Sequence, residues 1–171
     1  DKNSRDRSSS AVARARSRII HREALGKNVM AKFSYLQLDV FPASRGGGNP
    51  LGVVIDARGW SDADMQAFAA WTNLVETTFL LPPENVAASY RLRIFTPSSE
   101  IPFAGHPTIG SAHAALLSGF AHGRNHQLIQ ECAAGLLPIR IEGDDHEREL
   151  FVQAPKASIV QIARDMTTHL H

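Results

Sequence analysis

The stretch Arg93–Leu117, "RIFTPSSEIPFAGHPTIGSAHAALL", decides how this chain folds. It passes from a strand-forming run into a helix, with Glu100, two prolines, Gly105 and His106 between them. Pro107 suits the first helical position, where its missing N–H costs nothing. The following turns carry Gly110, Ser111, Ala112, Ala114 and Ala115, then Leu116 and Leu117, with no charged face. A surface helix shows a charged face. This one is therefore expected to be buried on all sides, its small side chains letting strands approach closely. An ordinary core helix in an α+β sandwich is the alternative that the same pattern allows.

The start of that helix is also a candidate site. Its first N–H groups lack internal partners, and the dipole places partial positive charge there. Such a terminus, reached through Gly105, is a suitable seat for a small carboxylate. Pro102 and Pro107 stiffen the approach. His106 stands at the mouth, either as a helix cap or as a proton or hydrogen-bond donor.

The flanking sequence supplies the strands. "FSYLQLDVF" (33–41), "LGVVID" (51–56), "VETTFLL" (75–81), "YRLRIF" (90–95), "NHQLIQEC" (125–132), "GLLPIRIEG" (135–143) and "ERELFVQA" (147–154) all read as strands. Ser61 is expected to cap a helix, with Asp64 reaching back to it, and Met65, Phe68 and Ala69 form its apolar face. Ser158–His169 suggests a last helix. "RGGGNP" is a loop and not a phosphate-binding one, since no Gly-Lys-Ser/Thr follows. In "VETTFLL", Glu76 is the single charge. Alternation puts Val75, Thr77, Phe79 and Leu81 on one face and Glu76, Thr78 and Leu80 on the other. Glu76 is then either a solvated residue on an outer face or a carboxylate facing a pocket, its pKa raised by burial.

Composition excludes several classes. The chain has 171 residues, 43% hydrophobic and 20% charged, which suits one globular domain with a tail. No apolar run approaches the ~20 residues that span a bilayer. In residues 1–29 eight Lys/Arg face three acids, so the remainder, out of totals of 18 and 17, is mildly acidic. That gives no reason to expect a nucleic-acid partner, and no membrane partner is expected. One cysteine, Cys132, excludes an intramolecular disulfide and a cysteine-built zinc site. It fits a reducing, cytoplasmic setting. No metal site is expected, because the histidines lack ligand spacing. Residues 1–29, Arg- and Ser-rich, are expected to be a disordered basic tail ahead of a natural start at Met30. They are otherwise an Arg-rich targeting segment.

"LDVF…GNPLGVVID", "MQAFAAWTNLVETTFLL", "YRLRIFTPSSEIPFAGHPTIGSAHAALL" and "IQECAAGLLPIRI", in this order, closely resemble the N-terminal half of the PhzF-like family, named for the phenazine biosynthesis isomerase. The resemblance covers about Phe33 to Gln153. It implies the diaminopimelate-epimerase fold, in which each of two lobes is a curled antiparallel sheet, a half-closed barrel, around a central helix. Residues 30–155 would be the N-terminal lobe, and 156–171 a helical linker or the start of a second lobe. By the same resemblance, Glu76 matches the glutamate that shuttles a proton and His106 the histidine of the Gly-His-Pro motif. Asn49 and Pro50 match a turn near the substrate. Gly105, Pro107 and Thr108 form the helix entrance where a substrate carboxylate sits.

The implied reaction is a cofactor-free hydrogen shift in a substrate like trans-2,3-dihydro-3-hydroxyanthranilate, so the expected activity is that of a biosynthetic isomerase. The epimerase branch of the fold instead uses two cysteines. This chain has Ala104-Gly105-His106 at the first of those places, and Cys132 reads as a small buried hydrophobe. Nothing after Phe151 resembles the family's second lobe. The alternative is therefore a non-catalytic half-protein that binds a small carboxylate or a partner lobe. A homodimer could equally cover the interlobe face.

Overall fold

The computed structural model describes residues 16–22 by their backbone, and residues 33–143, 148–153 and 155 with their side chains. Their elements run β1 (Arg16–Arg22), β2 (Phe33–Val40), β3 (Asn49–Ile55), α1 (Asp62–Thr72), β4 (Glu76–Leu81), β5 (Tyr90–Phe95) and β6 (Glu100–Ile101). α2 (Gly105–Leu117), β7 (Gln127–Cys132), β8 (Gly135–Glu142) and β9 (Glu149–Val152) follow. One sheet takes the order β1-β2-β3-β4-β5-β7-β8-β9, with β6 paired to β5. Ser158–His169 lies outside the described residues. Among the described residues no helix is long and apolar enough to cross a membrane.

α2 occupies the inside of the curl. It meets β2, β3, β4, β5 and β9, strands drawn from both ends of the sheet. Pro107 to Ala112, Ala114 and Ala115 are all buried, as the small, uncharged sequence requires. Gly110 sets the closest approach. A Cβ there would lie 2.5 Å from Leu51 Cδ2 and 2.8 Å from Val40 Cγ2, inside van der Waals contact. Ile109, Ala112 and Ala115 complete the core with Leu38, Leu51, Leu80, Leu92, Leu128 and Ile139.

α1 lies on the other face. Met65 and Ala69 pack on Val54, Phe79, Leu81 and Phe95, edged by Phe33, Trp60 and Phe68 in edge-on contacts such as Phe33–Trp60 at 5.1 Å. The capping box forms as its sequence predicts: Asp64 N–H donates to Ser61 Oγ at 3.1 Å, and Ser61 N–H to the Asp64 carboxylate at 3.2 Å. Such a cap contributes about 1 kcal/mol. Asn73, left-handed at φ 51°, ends the helix.

The sheet is mixed, which corrects the expected antiparallel one. β3 pairs parallel with β4, and β5 with β7. Each parallel return needs a crossover, and the two helices are those crossovers. Both step the same way across the sheet, but β3 and β5 run in opposite directions. Two crossovers of one hand must then place their helices on opposite faces, and right-handed connections are the rule. Hence α1 lies outside and α2 inside.

Two other expectations change. β1 pairs with β2 along its whole length, from Arg16↔Asp39 to Arg22↔Phe33, within the segment read as a disordered tail. The free edge of β2 offers backbone donors and acceptors that any extended chain can meet, irrespective of side-chain pattern. α2 begins at Gly105, so Pro107 is its third residue and not its first. It is still among the positions whose N–H has no intrahelical partner.

The fit at Gly110 makes a direct prediction. Gly110→Ala should lower stability to urea by about 1–3 kcal/mol through overpacking, despite the better helix propensity of alanine. A midpoint equal to or above that of the unmodified chain would show that α2 is not clasped this closely.

Candidate active site

The local fold brings three sequence segments to one end of the sheet. Glu76 is the first residue of β4, and the register pairs it with Leu51 of β3. Asn49 and Pro50, directly before Leu51, therefore arrive at the same end, both exposed. The short β5–β6 pairing, Phe95↔Glu100 and Ile94↔Ile101, turns the chain back and delivers Gly105 and His106 there as well.

Glu76 is buried at 9% exposure. Strand alternation holds, with Glu76, Thr78 and Leu80 on one face. The outer-face alternative for Glu76 fails because α1 covers the Phe79 face and α2 the other. Thr78 confirms the orientation: its hydroxyl lies 2.8 Å from Ser111 Oγ of α2 and donates to the Gly52 carbonyl at 3.2 Å.

His106 meets Glu76. Nε2 and Oε2 are 3.2 Å apart, with side chains 16% and 12% exposed. The contact is close but out of line for a hydrogen bond, and each of these two buried atoms lacks an aligned protein partner. Burial raises the Glu76 carboxyl above its usual 4.5 and lowers the His106 imidazole below its usual 6.5. Desolvation penalises the charged form of each. The same surroundings thus push both groups towards their neutral forms at a separation of 3.2 Å.

The helix end supplies the donors beside this pair. Ala104, the N-cap, has no side-chain cap bond, Pro107 has no N–H, and the Thr108 N–H is taken by the Ala104 carbonyl at 3.2 Å. The amides of Gly105 and His106 remain as the donors α2 presents. A Cβ on Gly105 would touch nothing within 4 Å, so the backbone is approachable. Pro107 and Thr108 are buried behind the mouth. The Thr108 hydroxyl accepts from Gln130 Nε2 at 3.4 Å, so it faces β7.

Asp39 was not singled out from sequence. Its carboxylate accepts from Gly46 N–H at 2.8 Å and Gly48 N–H at 2.9 Å, folding the glycine loop that ends at Asn49. A Cβ at Gly48 would sit 2.3 Å from the Val40 carbonyl, so only glycine fits. An acid in an apolar strand just before a glycine run was the available signal. Tyr90 and Gln130, both fully buried, were also missed. Cys132, read as a buried hydrophobe, is half-buried, with its thiol 3.6 Å from the Gly135 carbonyl. A hollow of about 480 Å³ lined by Leu116, His126, Ile141 and Arg148 lies at the opposite, C-terminal end of α2, away from Glu76.

Residues 38–171 match the family model described as phenazine biosynthesis-like protein. Antisense-enhancing sequence 1 of Schizosaccharomyces pombe is 46% identical over 133 residues, covering 77% of this chain and 45% of that protein. The trans-2,3-dihydro-3-hydroxyanthranilate isomerase of Pseudomonas chlororaphis is 42% identical over 108 residues, 63% of this chain and 37% of the enzyme. The crystal structure of a phenazine biosynthesis protein of the PhzF family from Bacillus anthracis superposes with a TM-score of 0.60 at 32% identity, over 68% of this chain and 38% of that one. The chain spans less than half the length of each of these relatives.

The burial of Glu76 predicts a pH-dependent cost. Its folded pKa is raised, so the stability tied to its protonated form is present below about 4.5 and lost as pH rises through the folded value. Glu76→Gln should therefore raise the thermal midpoint at pH 7 relative to the unmodified chain. The difference should vanish as pH falls below 4.5. A lower midpoint at pH 7 would mean that the carboxylate has a compensating partner.

Proposed function

The chain belongs to the phenazine biosynthesis-like protein family, and on that premise we propose that it carries the proton-shuttling half of a cofactor-independent isomerase. The substrate class is a small carboxylate resembling trans-2,3-dihydro-3-hydroxyanthranilate. The observation that carries the reading is the buried Glu76–His106 contact of 3.2 Å beside the uncapped start of α2.

The chemistry follows from these positions. The substrate carboxylate accepts from the Gly105 and His106 amides, where the helix dipole favours negative charge. Glu76, as a carboxylate, removes a proton from one carbon, and the electron pair left behind delocalises through the conjugated system. The same carboxyl then returns its proton at another carbon, so the net change is an internal hydrogen shift. Desolvation that raises the Glu76 pKa makes its carboxylate a stronger base. A neutral His106 serves this arrangement, since an imidazolium at 3.2 Å would lower that basicity.

A second reading has its own support. Gly105, Asn49 and Val75 are exposed around the pair, and anchoring a carboxylate at a solvent-facing mouth is weaker than in an enclosed cleft. On that reading the chain binds a small carboxylate, or a partner lobe or second copy that covers the mouth, without turnover.

Deuterium incorporation into trans-2,3-dihydro-3-hydroxyanthranilate in D₂O, followed by NMR, separates the two. Glu76→Gln should slow exchange by about 10²- to 10⁴-fold, the range typical of general acid–base catalysis. An unchanged rate would remove Glu76 from the mechanism. No exchange by the unmodified chain, with amide shifts at Gly105 and His106 on adding the carboxylate, would establish binding alone.

A further inference from the structure

Three buried polar side chains form a group separate from the Thr78–Ser111 pair. Tyr90, Gln130 and Thr108 are all fully shielded from solvent, and they come from β5, β7 and the first turn of α2. Burying such groups is costly unless they satisfy one another. None of the steps assigned to Glu76 and His106 uses them.

Their contacts form a chain with a direction. The Tyr90 hydroxyl donates to Gln130 Oε1 at 2.9 Å. Gln130 Nε2 then donates to Thr108 Oγ1 at 3.4 Å, the longer and weaker link. Burial pushes the Tyr90 phenol well above its usual pKa, so it remains a donor. Tyr90 and Gln130 are also direct partners in the short parallel pairing of β5 with β7, whose other pair is Arg91↔Glu131. The chain therefore starts from a point anchored by both strands.

It ends on the residue that closes the catalytic turn. The Thr108 N–H donates to the Ala104 carbonyl at 3.2 Å, and Gly105, His106 and Pro107 lie between those two residues. Ala104 brings no side-chain cap. The turn carrying His106 is thus closed at the front by the Thr108–Ala104 backbone bond and tied from behind by this chain. Apolar packing alone is non-directional and would let the helix start slide or rotate. A hydrogen-bonded chain is satisfied in only one register.

We infer that Tyr90, Gln130 and Thr108 are positioning residues that lock the first turn of α2 against β5 and β7 and thereby set the spacing of His106 from Glu76. The kinetic consequence rests on the proton-shuttle reading; the structural one does not. Two readouts on the full chain test it: NMR titration of the His106 imidazole without substrate, and the kinetics of deuterium exchange. Tyr90→Phe and Thr108→Val should both shift the His106 titration midpoint. They should lower kcat about tenfold to a hundredfold, as expected for a misplaced reacting group, with KM nearly unchanged. Thr108→Ser, which keeps the hydroxyl, should restore both. If Thr108→Val does not fold, Tyr90→Phe, which removes one oxygen, gives the same two readouts. Lowered thermal midpoints with the His106 titration unmoved would overturn the inference and leave the three residues as core structure only. If the unmodified chain exchanges no proton, the proton-shuttle reading fails, and the titration alone decides the positioning role.

Discussion

Everything in this fold depends on how closely α2 can approach the sheet that curls around it. Gly110 leaves no room for a Cβ against Leu51 and Val40, and the alanines that follow are fully buried. A helix with larger side chains would hold the strands further away. β2 and β9 could then not both reach it, although they stand near opposite ends of the sheet order. The interior packs at solid-like density, so a difference of one methyl group at this contact is felt by the strands on every side.

The connections add the second constraint. Because α1 and α2 are crossovers of one hand between oppositely directed strands, they cover opposite faces of the sheet, and β4 between them is buried on both. This is the physical origin of the candidate site. A carboxylate at the start of a strand with one solvated face would have an ordinary pKa and no catalytic interest. Glu76 begins a strand with no solvated face, its surroundings penalise the charged form, and the same surroundings penalise charge on His106. Two groups of opposite acid–base character are thereby drawn towards neutrality 3.2 Å apart.

The polar residues of the core are consistent with a fold that must specify orientation as well as proximity. Thr78 with Ser111 ties the middle of α2 to β4. Tyr90, Gln130 and Thr108 link its first turn to β5 and β7. Asp39 folds the loop that carries Asn49. The last two place hydrogen bonds where a segment lining the site leaves the scaffold. Outside the sheet, Arg93 spans from Glu100 at 2.6 Å to Asp62 at 2.5 Å, joining the β5–β6 turn to the start of α1.

Local pattern carried much of this in the sequence itself. Ser61 with Asp64 is a capping box within four residues, and it formed. The run from Gly110 to Ala115 has no charged face and is buried except at His113. Alternation in "VETTFLL" put Glu76 with Thr78 and Leu80. Which side of that strand meets solvent was not legible, because the answer belongs to two helices distant in sequence. The parallel pairings were hidden for the same reason: strand direction is a property of connections. β1 was hidden because edge pairing draws on backbone groups that every sequence has. The sequence by itself determined most of the strands, the capping box and the small-residue helix, since these rest on contacts within a few residues, while Glu76 and His106 were marked out by the family resemblance. Only the tertiary structure decided that the carboxyl is shielded, that the imidazole stands beside it, and that Tyr90 and Gln130 reach the same helix turn. Burial and distance are set by chain segments that meet only once the sheet has closed around α2.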